Sequence, residues 1–381
     1  MIKFFESADA GAPTLNNAAS SMIAVLDACL VTGYNTKAVT SITVASGVAT
    51  VVCTAHAYAN TYGKKIRIEG ATPVALNIDT VISNVTTNGF TFLCPGVANG
   101  AATGTLTAKY APLNWLKQFT GTNKAVYKRG DVTATGCMLR VDDSVVGQVC
   151  RVLMVDSATD VDTYTNPTPV AAQIADGLGQ YWSKGYNTSV AANWFMVADE
   201  KLFYLFVKSS ADGGTIQPFL QHLFGDVVDF KPGSVLGCAI GGAYLASGQG
   251  GAGPLSATSQ VGNFLVSGGK NGISRSQVLY LDININHGVA NANVYPSDVD
   301  GGLVILSPIL LTEATTTGHR RGVMPGLAFP LAKTDAVLTA KTIISNIVDS
   351  SKSFILANAT SVVGNQAATV VPMIDLTGPW R

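Results

Sequence analysis

The sequence predicts a mainly β protein: a β-sandwich or barrel-like body with one N-terminal helix and an inserted small β domain. Three observations predict it. Short runs of β-branched and aromatic residues alternate with polar ones at period two through most of the chain. The 39 Gly and 15 Pro among 381 residues break these runs at turn spacing. Only one segment, close to the N-terminus, carries a helical period.

That helix comes first. Ala19, Met22, Ile23, Leu26 and Leu30 fall on one face at i, i+3, i+4, i+7 spacing. Asn16 or Asn17 is placed to cap its start, and Gly33 to end it in a left-handed conformation. Asp27 lies off the apolar stripe and is expected in solvent. After Thr36 the texture turns to strands. Residues 39–44 (VTSITV) and 48–53 (VATVVC) flank a hairpin turn at Ala45-Ser46-Gly47. Residues 65–69 (KIRIE) alternate cleanly. Residues 80–85 and 90–93 are separated by Asn88-Gly89, which predicts a type I′ turn. Residues 104–108 close this compact run.

The remainder also reads as strands: 147–155, then 193–197 paired with 202–207, then 235–240, 278–282 and 302–306. A second short helix is expected over 169–174, beside Pro167 and Pro169. Much of the Gly and Ser falls between 241 and 272, which predicts a long loop or arm. The expected organisation is a helical segment of the main body at 1–36, an inserted small β domain at 37–109, and the main β-rich body at 110–381.

Composition excludes several classes of function. Lys plus Arg number 24 and Asp plus Glu number 24, giving zero net charge and 13% charged residues, about half the roughly 25% of an average soluble domain. Zero net charge argues against electrostatic binding of nucleic acid. Hydrophobic residues at 47% argue against disorder. The longest apolar stretch, residues 235–246, falls short of the roughly 20 residues of a membrane span. Residues 1–13 lack the apolar core of a signal peptide, so the chain is expected to stay in a cytoplasm-like compartment. So sparse a surface charge repels other copies weakly and leans toward self-association.

Each pattern that could carry chemistry also has a structural explanation. His56, His222, His287 and His319 are at least 32 positions apart and form no ligand pair; a surface or turn role is expected of each. Asp156, Asp160 and Asp162 lack the alternation and terminal Glu of a calcium loop. Gly248, Gly250, Gly251 and Gly253 lack the Lys-Ser/Thr of a phosphate loop, and Pro254 would spoil the helix that should follow. Gly268-Gly269-Lys270 fails likewise. Arg129-Gly130-Asp131 spells an adhesion tripeptide but reads as a turn. Asp142-Asp143 and Asp199-Glu200 are adjacent carboxylates that point to opposite faces of a strand, whereas glycosidic cleavage needs two flanking one bond. Were a hydrolase hidden here, Asp199 or Asp226 would carry it. Trp182, Tyr181, Trp194 and Tyr186 could line a sugar-binding shelf, though core packing accounts better for Trp194. Cys29, Cys53, Cys94, Cys137, Cys150 and Cys238 have no C-x-x-C spacing and read as small buried hydrophobes, with a disulfide between distant strands as the alternative. No catalytic, cofactor-binding or metal-ligating residue and no cofactor is assigned.

Residues 39–43 (VTSIT), 54–58 (TAHAY), 66–71 (IRIEGA), 88–92 (NGFTF) and 102–106 (ATGTL) carry a resemblance. From about 38 to 109 the chain resembles a small β domain common in tailed-bacteriophage structural proteins, related in pattern to the domain near the first catalytic half of ubiquitin-activating enzymes. That pattern usually has Gly where Ala57 stands. The flanks resemble phage virion proteins through residues 11–16 (GAPTLN), 119–127 (FTGTNKAVY), 139–143 (LRVDD), 224–233 (FGDVVDFKPG) and 374–381 (IDLTGPWR). The resemblance implies a non-enzymatic component of a tailed-phage virion, in the tail, neck or baseplate, assembled in the host bacterial cytoplasm. Its expected partners are copies of itself and other virion proteins, with no nucleic acid and no membrane insertion. The alternatives are a capsid decoration or fibre protein, and a receptor-binding module for host surface polysaccharide.

Overall fold

The computed structural model describes residues 1–171, 174, 177–185, 190–208, 219–230, 237–242, 264–267, 277–281, 303, 305–313, 320–330, 341–347, 351–357 and 372–381. Among the described residues the chain is mainly β, with several antiparallel sheets, one helical segment near the N-terminus and a single 3-10 turn at Val74–Leu76. Among these residues no helix is long and apolar enough to cross a membrane.

A ten-stranded sheet forms the middle of the body. Its strands Trp194–Ala198 and Leu202–Lys208 are apolar almost throughout and pair as the sequence predicts, Trp194 opposite Val207 and Ala198 opposite Phe203. Unbroken apolar strands are the mark of a sheet covered on both faces. The pleat divides their side chains. Trp194, Met196, Phe203 and Leu205 enter one core with the helix and the small domain, while Phe195, Val197, Tyr204 and Phe206 enter a second with Phe329, Ile355, Ile374 and Trp380. A five-stranded sheet (Leu116–Gly121, Lys124–Lys128, Met138–Asp142, Val149–Val155, Gln180–Ser183) contributes to the first core. Another, including Leu327–Pro330, Lys352–Leu356 and Met373–Asp375, contributes to the second.

The small domain leaves and re-enters the body at one place, because Tyr34–Ala38 and Thr107–Tyr110 are antiparallel neighbours. Between them two sheets face each other. One holds these two strands with Ile66–Glu69 and Asp79–Thr80; the other holds Ser41–Ala45, Val48–Val52, Ser83–Thr86, Gly89–Leu93 and Gly100–Ala101. Ile42, Val44, Val51, Phe90 and Phe92 point inward with Ile66 and Ile68. The domain is tied to the first strand, Lys3–Glu6. The Phe4 N–H donates to the Gly63 carbonyl, Lys64 pairs with Asp9 at 2.6 Å, and Lys3 pairs with Asp79 at 2.5 Å.

Several local expectations are corrected. The helix runs α-helically over Ser21–Leu26 and then as a π-helix over Asp27–Thr32. Neither Asn16 nor Asn17 caps it. Asn16 Oδ1 accepts from Ala18 N–H in a local turn, and the cap comes from a distant residue, with Asp143 Oδ2 accepting from Met22 N–H at 2.8 Å. Gly33 has the expected positive φ of 74°, but with ψ 175° it lies outside the left-handed helical region. Asp27 is not simply solvated: Tyr127 donates to it at 2.7 Å and Lys117 pairs with it at 2.8 Å. The hairpin at Ser46-Gly47 forms with both residues at positive φ. The Asn88-Gly89 turn is shifted by one, since Thr86 pairs with Gly89 and the positive φ falls on Asn84 instead. Gly89 answers a different need, for a Cβ there would sit 2.5 Å from the Val51 carbonyl oxygen. Around 169–174 one Ile174 N–H to Val170 carbonyl bond forms without a helix in the described residues. Within 241–272, Gly241 and Gly242 belong to the strand Cys238–Gly242, and Phe264–Ser267 pairs with it; the rest of that stretch lies outside the described residues.

Candidate functional site

Two of the four histidines are described, and both are interior. His56 Nδ1 accepts from the Tyr58 N–H at 3.0 Å, its ring stacks on Tyr58, and Nε2 lies 3.3 Å from the Gly89 carbonyl. It fastens the turn between two strands, where Ala55 and Ala57 both take positive φ. His222 is fully buried, stacked on Trp182, and accepts through Nε2 from the Ser183 N–H at 3.0 Å. Burial drives its imidazole down to about 3, so it is a neutral acceptor joining two sheets. A surface role is overturned for both. His287 and His319 lie outside the described residues.

The carboxylates singled out by sequence are engaged in structure. Asp156 accepts from Asn166, Asp160 from the Asp162 and Thr163 N–H groups, and Asp162 pairs with Lys124 and Arg140. Asp143 forms a fully buried pair with Lys184 at 2.6 Å, while Lys184 also donates to the Ala18 and Val145 carbonyls. Removing one member of such a pair strands the other charge, at a cost of about 3–5 kcal/mol. Its neighbour Asp142 serves Arg140 and Ser144. Among the described residues no group of three or more His, Cys, Asp or Glu could hold a metal ion.

Asp199 borders a polar cleft of about 330 Å³ where residues 1–2, the 199–201 turn and the 376–381 segment meet, and Asp226 lies behind it, joined through Arg381. Asp199 Oδ1 accepts from the Lys201 and Leu202 N–H groups at 2.8 Å, which fixes the turn between the two central strands. Its carboxylate also faces Arg381, with Nε 3.0 Å from Oδ2. Asp226 accepts from Arg129 at 2.7 Å and from the Thr135 hydroxyl and N–H at 2.6 and 2.8 Å, and the Arg381 guanidinium donates to its carbonyl. These oxygens act as clasps between segments. Arg129 is interior, its guanidinium 4.9 Å from the Phe224 ring centre, so the Arg129-Gly130-Asp131 triplet cannot present an adhesive arginine. Trp182 and Trp194 are also buried, and Tyr181 lies beneath the Arg151 guanidinium at 3.7 Å. The expected aromatic shelf is therefore not built from the two tryptophans; Tyr186 lies outside the described residues.

The most distinctive outward feature is on the small domain. Its five-stranded sheet contains no Asp, Glu, Lys, Arg or His in any strand. Across the outer face, Ala101, Thr43, Thr50, Thr91 and Ser83 lie side by side in register. Val52 and Leu93 stand nearby, 41% and 71% exposed. The signal was present in the sequence, since no Asp, Glu, Lys or Arg occurs between Lys37 and Lys64 or between Asp79 and Lys109. The zero net charge of the whole chain masks it. No protein-family model and no curated protein matches the chain.

Proposed function

We propose that the chain is a structural component of a tailed-phage particle, in the tail, neck or baseplate, that works by packing against copies of itself and against other particle proteins. The observation that carries this reading is the charge-free outer face of the small domain. Ionisable groups on a docking face must be desolvated or paired when a partner covers it. A face of Thr, Ser, Ala, Val and Leu avoids that cost, and its apolar area contributes about 25 cal/mol per Å² when buried. The occupant that suits it best is the same face of a second copy, because neither side brings charge and symmetry doubles each contact. The resemblance of residues 38–109 to a phage structural domain supports the same reading.

The test is sedimentation velocity of the full chain beside a Thr50→Glu/Leu93→Glu double variant, with quantitative mass spectrometry of purified phage particles. The wild type should sediment as an oligomer and the variant as a smaller species with unchanged circular dichroism. The protein should be present in far fewer copies than the capsid subunit. A wild type that stays monomeric at high concentration and is absent from particles would overturn the proposal. Copy numbers matching the capsid lattice would replace it with a decoration role, and binding of isolated protein to host polysaccharide with a receptor-binding one.

A further inference from the structure

Behind the Asp226 clasp lie two thiols that the preceding roles do not use. Thr135 is held to Asp226 by two hydrogen bonds, and Arg129 donates both to Asp226 and to Thr135. Cys137 follows two residues after Thr135. Cys238 stands directly opposite Asp226 in the pairing of Phe219–Asp226 with Cys238–Gly242. Residues directly opposite in an antiparallel pair share a face, so the Cys238 side chain lies on the side of the Asp226 carboxylate and the Thr135 loop, in the core that also holds Cys137. Both are free thiols here. Cys137 is 5% exposed and Cys238 fully buried, so Cys137 is the nearer of the two to solvent.

We propose that Cys137 and Cys238 form a redox-convertible pair, closed to a disulfide by hydrogen peroxide and reopened by a dithiol. The thiolate is the nucleophile in such chemistry. The neighbouring Cys238, and then the Arg129 guanidinium, hold the Cys137 thiol below its ordinary range despite burial, whereas burial pushes the Cys238 thiol well up. Cys137 is accordingly the attacking sulfur. Its thiolate breaks the peroxide O–O bond and becomes a sulfenic acid, and the departing hydroxide takes up the proton Cys137 had lost, giving water. The Cys238 sulfur then attacks the sulfenic sulfur. The S–S bond forms, the S–O bond breaks, and the hydroxyl leaves with the Cys238 proton as a second water. Two thiols are oxidised and one peroxide is reduced to two waters. Dithiothreitol reverses the result by thiol–disulfide exchange and is itself oxidised to its cyclic disulfide.

The closed pair would join the 129–137 loop to the central sheet across a long stretch of chain, the case in which a crosslink restricts the unfolded state most. The experiment treats the folded full chain with hydrogen peroxide, quenches it, alkylates the remaining thiols in denaturant, and maps peptides without reduction. The expected result is the loss of two of the six thiols, one crosslinked species joining the peptides of Cys137 and Cys238, its reversal by dithiothreitol, and a higher thermal midpoint for the oxidised form. Cys137→Ser should abolish the crosslink and the thermal shift together. Retention of all six thiols, a different pairing, a crosslink made only in denaturant, or Cys137 recovered as a sulfinic acid without a partner would overturn the proposal. The wild-type peptide map decides even if the variant does not fold.

Discussion

At His222 a single ring links packing to pH. Its imidazole accepts a hydrogen bond from Ser183 and stacks on Trp182, an arrangement suited only to the neutral form. Its folded value of about 3 lies below the ordinary 6.5. The unfolded chain therefore binds a proton first as the pH falls. The stabilisation is complete above about pH 6.5 and is lost on acidification toward 3, at about 1.4 kcal/mol per pH unit. Urea denaturation should show the wild type about 2 kcal/mol less stable at pH 5 than above pH 7 on this account. In His222→Gln, which keeps an acceptor but cannot titrate, that part of the pH dependence should vanish. An unchanged profile in the variant would assign the loss elsewhere. A histidine of this kind is not legible in sequence: Gln221-His222-Leu223 reads like any strand, and the ring's neighbour Ser183 comes from another sheet.

At the scale of elements, the helix shows what periodicity can and cannot reveal. The stripe of Met22, Ile23, Leu26 and Leu30 is buried as its spacing predicts. Its cap was hidden because Asp143 lies 121 positions from Met22, whereas capping rules look only a few residues away. Its π-helical end was hidden because a short apolar stripe does not discriminate between the two helical periods. Gly33 closes that end in a backbone region open essentially to glycine alone, and a Cβ there would meet the Tyr110 carbonyl oxygen at 2.4 Å. Gly33→Ala should lower stability by about 2–3 kcal/mol, read as a shift of the denaturation midpoint with an unchanged slope. An effect below about 0.5 kcal/mol, the size usual for an ordinary surface change, would contradict this. The hairpins fared better, because turn chemistry is local. Ser46-Gly47 sits where the sequence puts it, and the second turn falls one position early, on Thr87-Asn88, because Thr86 pairs with Gly89.

Across the whole molecule, the fold class was legible and the joints were not. Period-two runs and turn residues suffice for a mainly β chain, and the unbroken apolar strands at 194–198 and 202–208 are the buried middle of the body. The joints are charged groups from distant segments, and nothing in local sequence pairs Lys64 with Asp9 or Lys3 with Asp79. Because both pairs are largely buried, the small domain and the body should open together. Hydrogen exchange should expose the strands Val48–Val52 and Trp194–Ala198 in one event in the wild type. Asp9→Asn removes the closer of the two carboxylates that pair with Lys64 and leaves Glu6 at 3.3 Å; at a cost of up to about 3 kcal/mol, it should let the small-domain strands exchange first. Separate openings in the wild type would contradict this coupling. The same joints decide where a mechanical load would go. A pull on the tip of the small domain is not taken up by a slack two-strand tether. It passes through the Lys64 and Lys3 links into Lys3–Glu6 and, from that strand's pairing with Trp194–Ala198, into the long sheet.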